Sequence, residues 1–299
     1  MTAMVTSLGP SKQWRTLRFE VLEKLESLPS LNNVVIEFLE LSKRDFSTAK
    51  DFEAVISKDQ ALVARLLKVA NSGLYGRPRT IRSIPEAVVL VGLERLKKMV
   101  YAVSTEGLTR RDLNNYAYHP GSGFWMHSLG VAHMSRILAD AAESCPLGGE
   151  EAFVAGLVHD IGKLVIDDFL DPEPGQVITR EDEVAAVGLD HTELAEHVLR
   201  QWNLPESITA CVRHHHDYRQ AGSWAPGAAV LTLAECIGAV WGLGQRDPVD
   251  LSVDVPVERF GVLLEELAIR QDGWDQIIVD IRESLAGLEG MFDPKPVVR

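Results

Sequence analysis

Cysteine is scarce in this sequence and never paired. Cys145, Cys211 and Cys236 stand far apart, with no CxxC spacing. That excludes a disulfide framework and a zinc-ribbon pattern, and it fits free thiols buried as small apolar residues in a reducing compartment. Basic side chains are in short supply as well. Thirty Lys and Arg face 43 Asp and Glu, for a formal charge of −13 over 299 residues. Such a balance repels phosphates on average, so nucleic acid and acidic membrane surfaces are not expected partners. Residues 1–13 are polar and lack the apolar core of a signal sequence. The longest apolar stretch, Gly227 to Gly244, is short and carries Glu235 near its middle, which suits a buried helix better than a membrane span. The expected location is the cytoplasm, with no membrane contact. Convincing period-two alternation is missing too, so no strand is expected.

What is present is a composition of 46% apolar and 24% charged residues, ordinary for a globular chain long enough to bury a sizeable core. Helical spacing dominates. Trp14, Leu17, Val21, Leu25 and Leu28 share one helix face, which Pro29 ends. A second helix carries Val34, Val35, Phe38, Leu39 and Leu41. Thr48 and Asp51 form a capping box before Phe52, Val55 and Ile56. Leu62 to Ala70 is helical up to Asn71-Ser72-Gly73. Ser83, Pro85 and Glu86 open a long helix through about Val103. Later helices are expected over Trp125–Ala142, Glu150–Lys163, Asp190–Trp202, Asn203–His215, Ala228–Val240, Val257–Ala268 and Trp274–Leu285. The fold class is all-α, built from packed helix pairs.

Nine histidines carry the chemical information. His159 and Asp160 are adjacent at the end of an apolar helix, in Gly156-Leu157-Val158-His159-Asp160-Ile161-Gly162-Lys163. His127 lies upstream; His191 and the run His214-His215-His216 lie downstream. An imidazole beside a carboxylate can offer two ligands to one divalent ion, and several helices could complete an N/O site for iron, manganese or magnesium. A His–Asp hydrogen bond that locks two helices uses the same residues. Of the three consecutive histidines only two can face inward, and His216 is expected to face solvent. His133 and His197 are off the faces of His127 and His191 and read as structural. His119, before Pro120, carries little information. Lys163 reads either as a cation for a phosphate beside the metal or as a lysine satisfying a helix dipole. Asn71-Ser72 reads as a helix end.

Charge is unevenly spread. From Gln60 to Arg111 ten Lys and Arg stand against three Asp and Glu. That excess, with Arg95, Lys97 and Lys98 at its centre, suits either complementarity between a basic first part and an acidic remainder or a docking face for an acidic partner.

The motif His159-Asp160-Ile161-Gly162-Lys163, with His127 before it and His214-His215 after it, resembles the HD superfamily of metal-dependent phosphohydrolases. Leu28-Pro29-Ser30-Leu31, Ile56 to Leu62, Leu67 to Ser72 and Ile84 to Val88 are similar to the N-terminal part of HDOD domains, as are Asp190 to Leu194 and Trp202 to Pro205. The resemblance covers roughly residues 23–220. It implies a tail at 1–13, an N-terminal helical lobe at 14–108, an HD-like lobe at 109–222 and a C-terminal helical part at 223–299 completing that lobe. It implies a bacterial signalling or regulatory module acting through protein partners, or a hydrolase of a nucleotide or other small phosphorylated ligand. Implied metal ligands are His127, His159, Asp160, His191, His214, His215 and Glu235, with Asp160 and Lys163 in catalysis. The superfamily usually has aspartate where Glu235 stands, and the Gly-Tyr-Pro motif of the HD-GYP relatives is absent after His215, so cyclic di-GMP cleavage is not implied.

Overall fold

A computed structural model of the chain describes residues 20, 21, 23–25, 33–42, 44, 46–70, 81–92, 96, 99, 100, 113–116, 123–173, 176–243 and 255–289. Every regular element among them is helical, as the periodicity requires. After the helical residues 20, 21 and 23–25 come α1 (Asn33–Ser42), α2 (Ala49–Ile56), α3 (Gln60–Ala70) and α4 (Ile84–Val91). Thr48 caps α2 through the Asp51 amide, and the Asp51 carboxylate returns the bond. Phe38 and Phe52 stack between α1 and α2 with ring centroids 4.9 Å apart. Ser83 caps α4. The single long helix expected from Ser83 to Val103 is interrupted, because Gly92 takes φ +91 and ends α4. Only glycine accepts that dihedral without steric cost. Asn71, Ser72, Arg95, Lys97, Lys98 and His119 lie outside the described residues.

The second half is built around α5 (Gly123–Ala141) and α6 (Gly149–Val158). They cross so closely that a Cβ on Gly156 would lie 2.8 Å from the Cα of Ala132. The helix expected from Glu150 to Lys163 stops at Val158. A turn follows through His159–Gly162, then the one-turn α7 (Lys163–Ile166). Next come α8 (Arg180–Val187), α9 (His191–Gln201) and α10 (Glu206–Arg213). Asp190 caps α9 in a full capping box with Glu193, as its spacing predicts.

The 3₁₀ turn Tyr218–Trp224 runs directly into α11 (Ala225–Val240). Together, Tyr218–Val240 is long and apolar enough, by length and composition, to cross a membrane. Gly222 breaks the helical dihedrals within it, and Ala228, Val230, Leu231, Leu233, Ala234 and Ile237 are buried against neighbouring helices. Finally α12 (Gly261–Glu266) and α13 (Trp274–Glu289) close over α5 and α11. His133 meets Ser284 of α13 at 2.7 Å and Phe153 edge-on, the structural role expected of it.

Candidate metal centre

Five elements aim polar side chains at one place. His127 sits on α5. His159 and Asp160 occupy the turn after α6. His191 is the first residue of α9, His215 and His216 follow α10, and Glu235 sits on α11. Gly162 makes the convergence possible. A Cβ there would lie 2.0 Å from the carbonyl oxygen of His191, so only glycine lets the turn touch the start of α9. His127, His159, Asp160, His191 and His215 are buried.

The ring orientations are informative. His159 Nδ1 lies 2.7 Å from the Gly156 carbonyl, His215 Nδ1 2.7 Å from the Val212 carbonyl, and His127 Nδ1 3.2 Å from the Leu243 carbonyl. His191 Nδ1 lies 2.7 Å from a Glu183 carboxylate oxygen. A ring nitrogen facing such an oxygen carries a proton, so each of these four imidazoles turns its Nε2 inward. Anchoring of one ring nitrogen by an oxygen is how metal-binding histidines are held.

The inward atoms fall into two groups. His127, His159, Asp160 and Glu235 can each give one ligand atom, all within 4.8 Å of one another; so can His191, His215 and His216. His127 Nε2 is 3.1 Å from His159 Nε2, and Asp160 Oδ2 is 3.3 and 3.4 Å from them. Two ring nitrogens facing each other at that distance need a proton or a metal ion between them. His191 Nε2 likewise faces Asp160 Oδ1 at 3.3 Å. Glu235 Oε1 is 3.2 Å from His159 Nε2 and 3.8 Å from His215 Nε2, while Oε2 is 3.6 Å from His216 Nδ1. Each carboxylate thus touches both groups.

Electrostatics agree. Burial works against ionising Asp160, yet His159 and Lys163 hold its carboxyl well below the usual carboxylate range. Burial also opposes charge on Glu235, but His215 and His159 keep its pKa far below normal. Burial lowers the His159 pKa; Asp160 and Glu235 outweigh it and push the value up to about 10. Positive charge is therefore favoured here. Burial keeps His215 neutral, and its Nε2 has no hydrogen-bond partner among the described residues. An orphaned acceptor inside a ring of nitrogen and carboxylate donors fits a divalent metal such as iron or manganese, and the mixed N/O set suits magnesium less well.

The structure departs from expectation at the histidine run, where the exposed His216 rather than His214 joins the donors. His214 ends α10 beside Arg213, only partly buried, and stands outside both groups. His216 points its Nε2 at His191 Nε2, 3.1 Å away, with about a third of its side chain (32%) open to solvent. The helix stops at Arg213, so helical spacing no longer decides which histidine turns inward. Lys163 sits on Asp160 Oδ2 at 2.6 Å and over the ring of Tyr116 at 5.6 Å. The helix expected to put it on the side of His159 does not continue that far.

Sequence reasoning also misses Glu183 and Tyr116. Glu183 is buried on α8 and accepts from the His191 amide at 2.8 Å as well as from its ring. Tyr116 donates to its other oxygen at 2.8 Å. Thr179 and Asp182 form the capping box that announces α8; its spacing was the available signal for that helix.

Residues 28–218 match the model of the HDOD domain family. The crystal structure of an HDOD domain protein of unknown function from Geobacter sulfurreducens superposes with a TM-score of 0.64. It is 25% identical and covers 95% of this chain and 99% of that one. A Shewanella amazonensis SB2B structure, at 22% identity and TM-score 0.61 over 91% of this chain and 95% of that one, shows the same fold. An uncharacterized protein of Treponema pallidum (strain Nichols) is 28% identical over 227 residues, 70% of this chain. The match spans only 41% of that longer relative.

Proposed function

The chain belongs to the HDOD family, and from that premise we propose a cytoplasmic regulatory module that acts through protein partners and carries a divalent-metal centre. His127, His159, Asp160 and Glu235 hold one ion, and His191, His215 and His216 form an adjoining donor set. The observation that carries this reading is the anchored orientation of four imidazoles, each fixed at Nδ1 with its Nε2 turned inward. A metal at such a site stabilises the fold that gathers its ligands. Elemental analysis of protein purified without chelator is expected to find iron or manganese in roughly stoichiometric amount. The double variant His159→Ala, Asp160→Ala is expected to lose it. Metal-free protein whose Tm is unmoved by manganese or by chelator overturns the metal centre.

A second reading, a metal-dependent phosphohydrolase, is supported by Lys163 and by the partly open His216. A bound divalent ion would lower the pKa of a water and polarise a phosphoryl oxygen. Asp160 would orient the neighbouring donors, and the Lys163 ammonium would offset charge on a nucleotide or other phosphorylated ligand. Manganese-loaded protein is then expected to hydrolyse a phosphodiester, and Lys163→Ala to slow it at unchanged metal content. Absence of turnover on phosphomonoester and phosphodiester panels leaves the regulatory reading alone standing.

A further inference from the structure

Glu183 and Tyr116 do more than fill space. Glu183 is almost fully buried. One carboxylate oxygen takes both the ring Nδ1 and the backbone amide of His191; the other takes the Tyr116 hydroxyl. The tautomer and tilt of His191 are thereby set from α8. Tyr116 in turn lies under the Lys163 ammonium, which holds Asp160. Both sides of the centre thus rest on one tyrosine.

Tyr116 belongs to the short segment 113–116, which precedes α5 and follows the N-terminal helices in the chain. That segment is fastened next to the centre. The amides of Asn114 and Asn115 donate to the two oxygens of Asp167 at 2.9 and 2.8 Å, and the Asn115 side chain donates to the Asp167 carbonyl. Asp168, the next residue, pairs with Lys24 on the N-terminal helical residues. A continuous path of charge-assisted hydrogen bonds runs from His191 through Glu183 and Tyr116 to 113–116.

We infer that Tyr116 and Glu183 are positioning residues of the metal centre, through which its occupancy is felt by segment 113–116. This rests on the metal reading proposed above. The Tyr116 ring face, with Glu183, sets the outer support of His191 and Lys163; a filled centre pins that support and an empty one releases it.

The test uses the full chain, stripped by chelator and reloaded with manganese. Glu183→Gln and Tyr116→Phe keep size and shape, and unaltered circular dichroism serves as the folding check. Loss of an outer partner typically weakens a metal site by about 10–100-fold. Glu183→Gln is expected within that range and Tyr116→Phe near its lower end. Hydrogen exchange supplies a readout that mere packing would not move. In the wild type, manganese is expected to slow exchange of the 113–116 amides several-fold. In Tyr116→Phe the ion still binds at higher concentration but that protection is lost. Manganese binding with unchanged exchange at 113–116 in the wild type overturns the coupling. Equal affinity and equal protection in both variants overturns the positioning roles. Failure of the wild type to bind manganese at all overturns the metal reading, and with it this inference.

Discussion

Replacing Gly162 by alanine isolates the steric contact on which the centre depends. Its dihedrals, φ −62 and ψ −27, are helical and open to any residue. In free space the change would stabilise the protein by about 0.4–1 kcal/mol, through a less flexible unfolded chain. At this position the new Cβ would stand 2.0 Å from the His191 carbonyl oxygen and 2.9 Å from its Cα, whereas ordinary contact begins at 3.4 Å. Both neighbours are backbone, so no side chain can swing away. The turn after α6 and the start of α9 must part by more than an ångström. Overpacking of this kind costs roughly 1–3 kcal/mol, equivalent to a fall in Tm of roughly 2–5 °C for a chain of this size. The displacement also moves His191 away from Asp160 Oδ1, now 3.3 Å distant, so manganese affinity falls with stability. Gly261→Ala is the control. Gly261 has helical dihedrals as well, φ −46 and ψ −44, and nothing lies within 4 Å of its Cβ position. Thermal melts and manganese titrations of the two variants read the difference. A Gly162→Ala protein that melts and binds manganese like the wild type, or like Gly261→Ala, refutes the role given to this glycine.

Two further outcomes follow from the same geometry. His216→Ala is expected to weaken manganese binding several-fold while His214→Ala leaves it unchanged, because only His216 faces His191; equal effects in a competition titration contradict the assignment. Acid should expose the Asp190 cap. Burial raises the Asp190 pKa, but Thr192 and Arg180 outweigh it and hold the carboxyl well below its ordinary 3.8. A depressed folded-state value means its stabilisation is complete above the unfolded pKa and is lost as pH falls below about 4. In urea melts Asp190→Asn, which keeps a capping oxygen but loses the charge paired with Arg180, is therefore expected to be destabilised near pH 7, with the gap narrowing toward pH 3. A gap that widens in acid has the wrong sign.

The helices with apolar stripes and side-chain caps were legible in the sequence because their causes are local. Thr48, Ser83 and Asp190 each bind an amide within three residues, and such bonds need no knowledge of the rest of the chain. His127, His159, Asp160 and Glu235 were legible by resemblance, and the structure brings them together. What spacing did not reveal were the places where helices end. Gly92 and the turn after Val158 interrupt apolar patterns that read as continuous. The helix stop at Arg213 lets the exposed His216, in place of His214, reach His191. Glu183 was hidden for another reason. Its significance comes from contact with a tyrosine 67 positions away, and nothing in a local window marks that.

Glu235 illustrates how one residue adapts such a centre. A longer side chain where relatives of the superfamily usually carry aspartate reads, in sequence, as a misplaced ligand. In the fold its carboxylate lies with one oxygen toward His159 and His215 and the other toward His216. Asp160 spans the same gap from the opposite side, with Oδ2 toward His127 and His159 and Oδ1 toward His191. A buried carboxylate and a partly buried one, set among imidazoles in a low-dielectric interior, make a costly arrangement unless positive charge enters it. Lys163 supplies one such charge to Asp160. The charge that Glu235 and the inward Nε2 atoms call for must come from a proton on His159 or from a metal. Those two occupants make opposite demands on pH: the proton leaves as pH rises, whereas a metal binds better as competing protons depart.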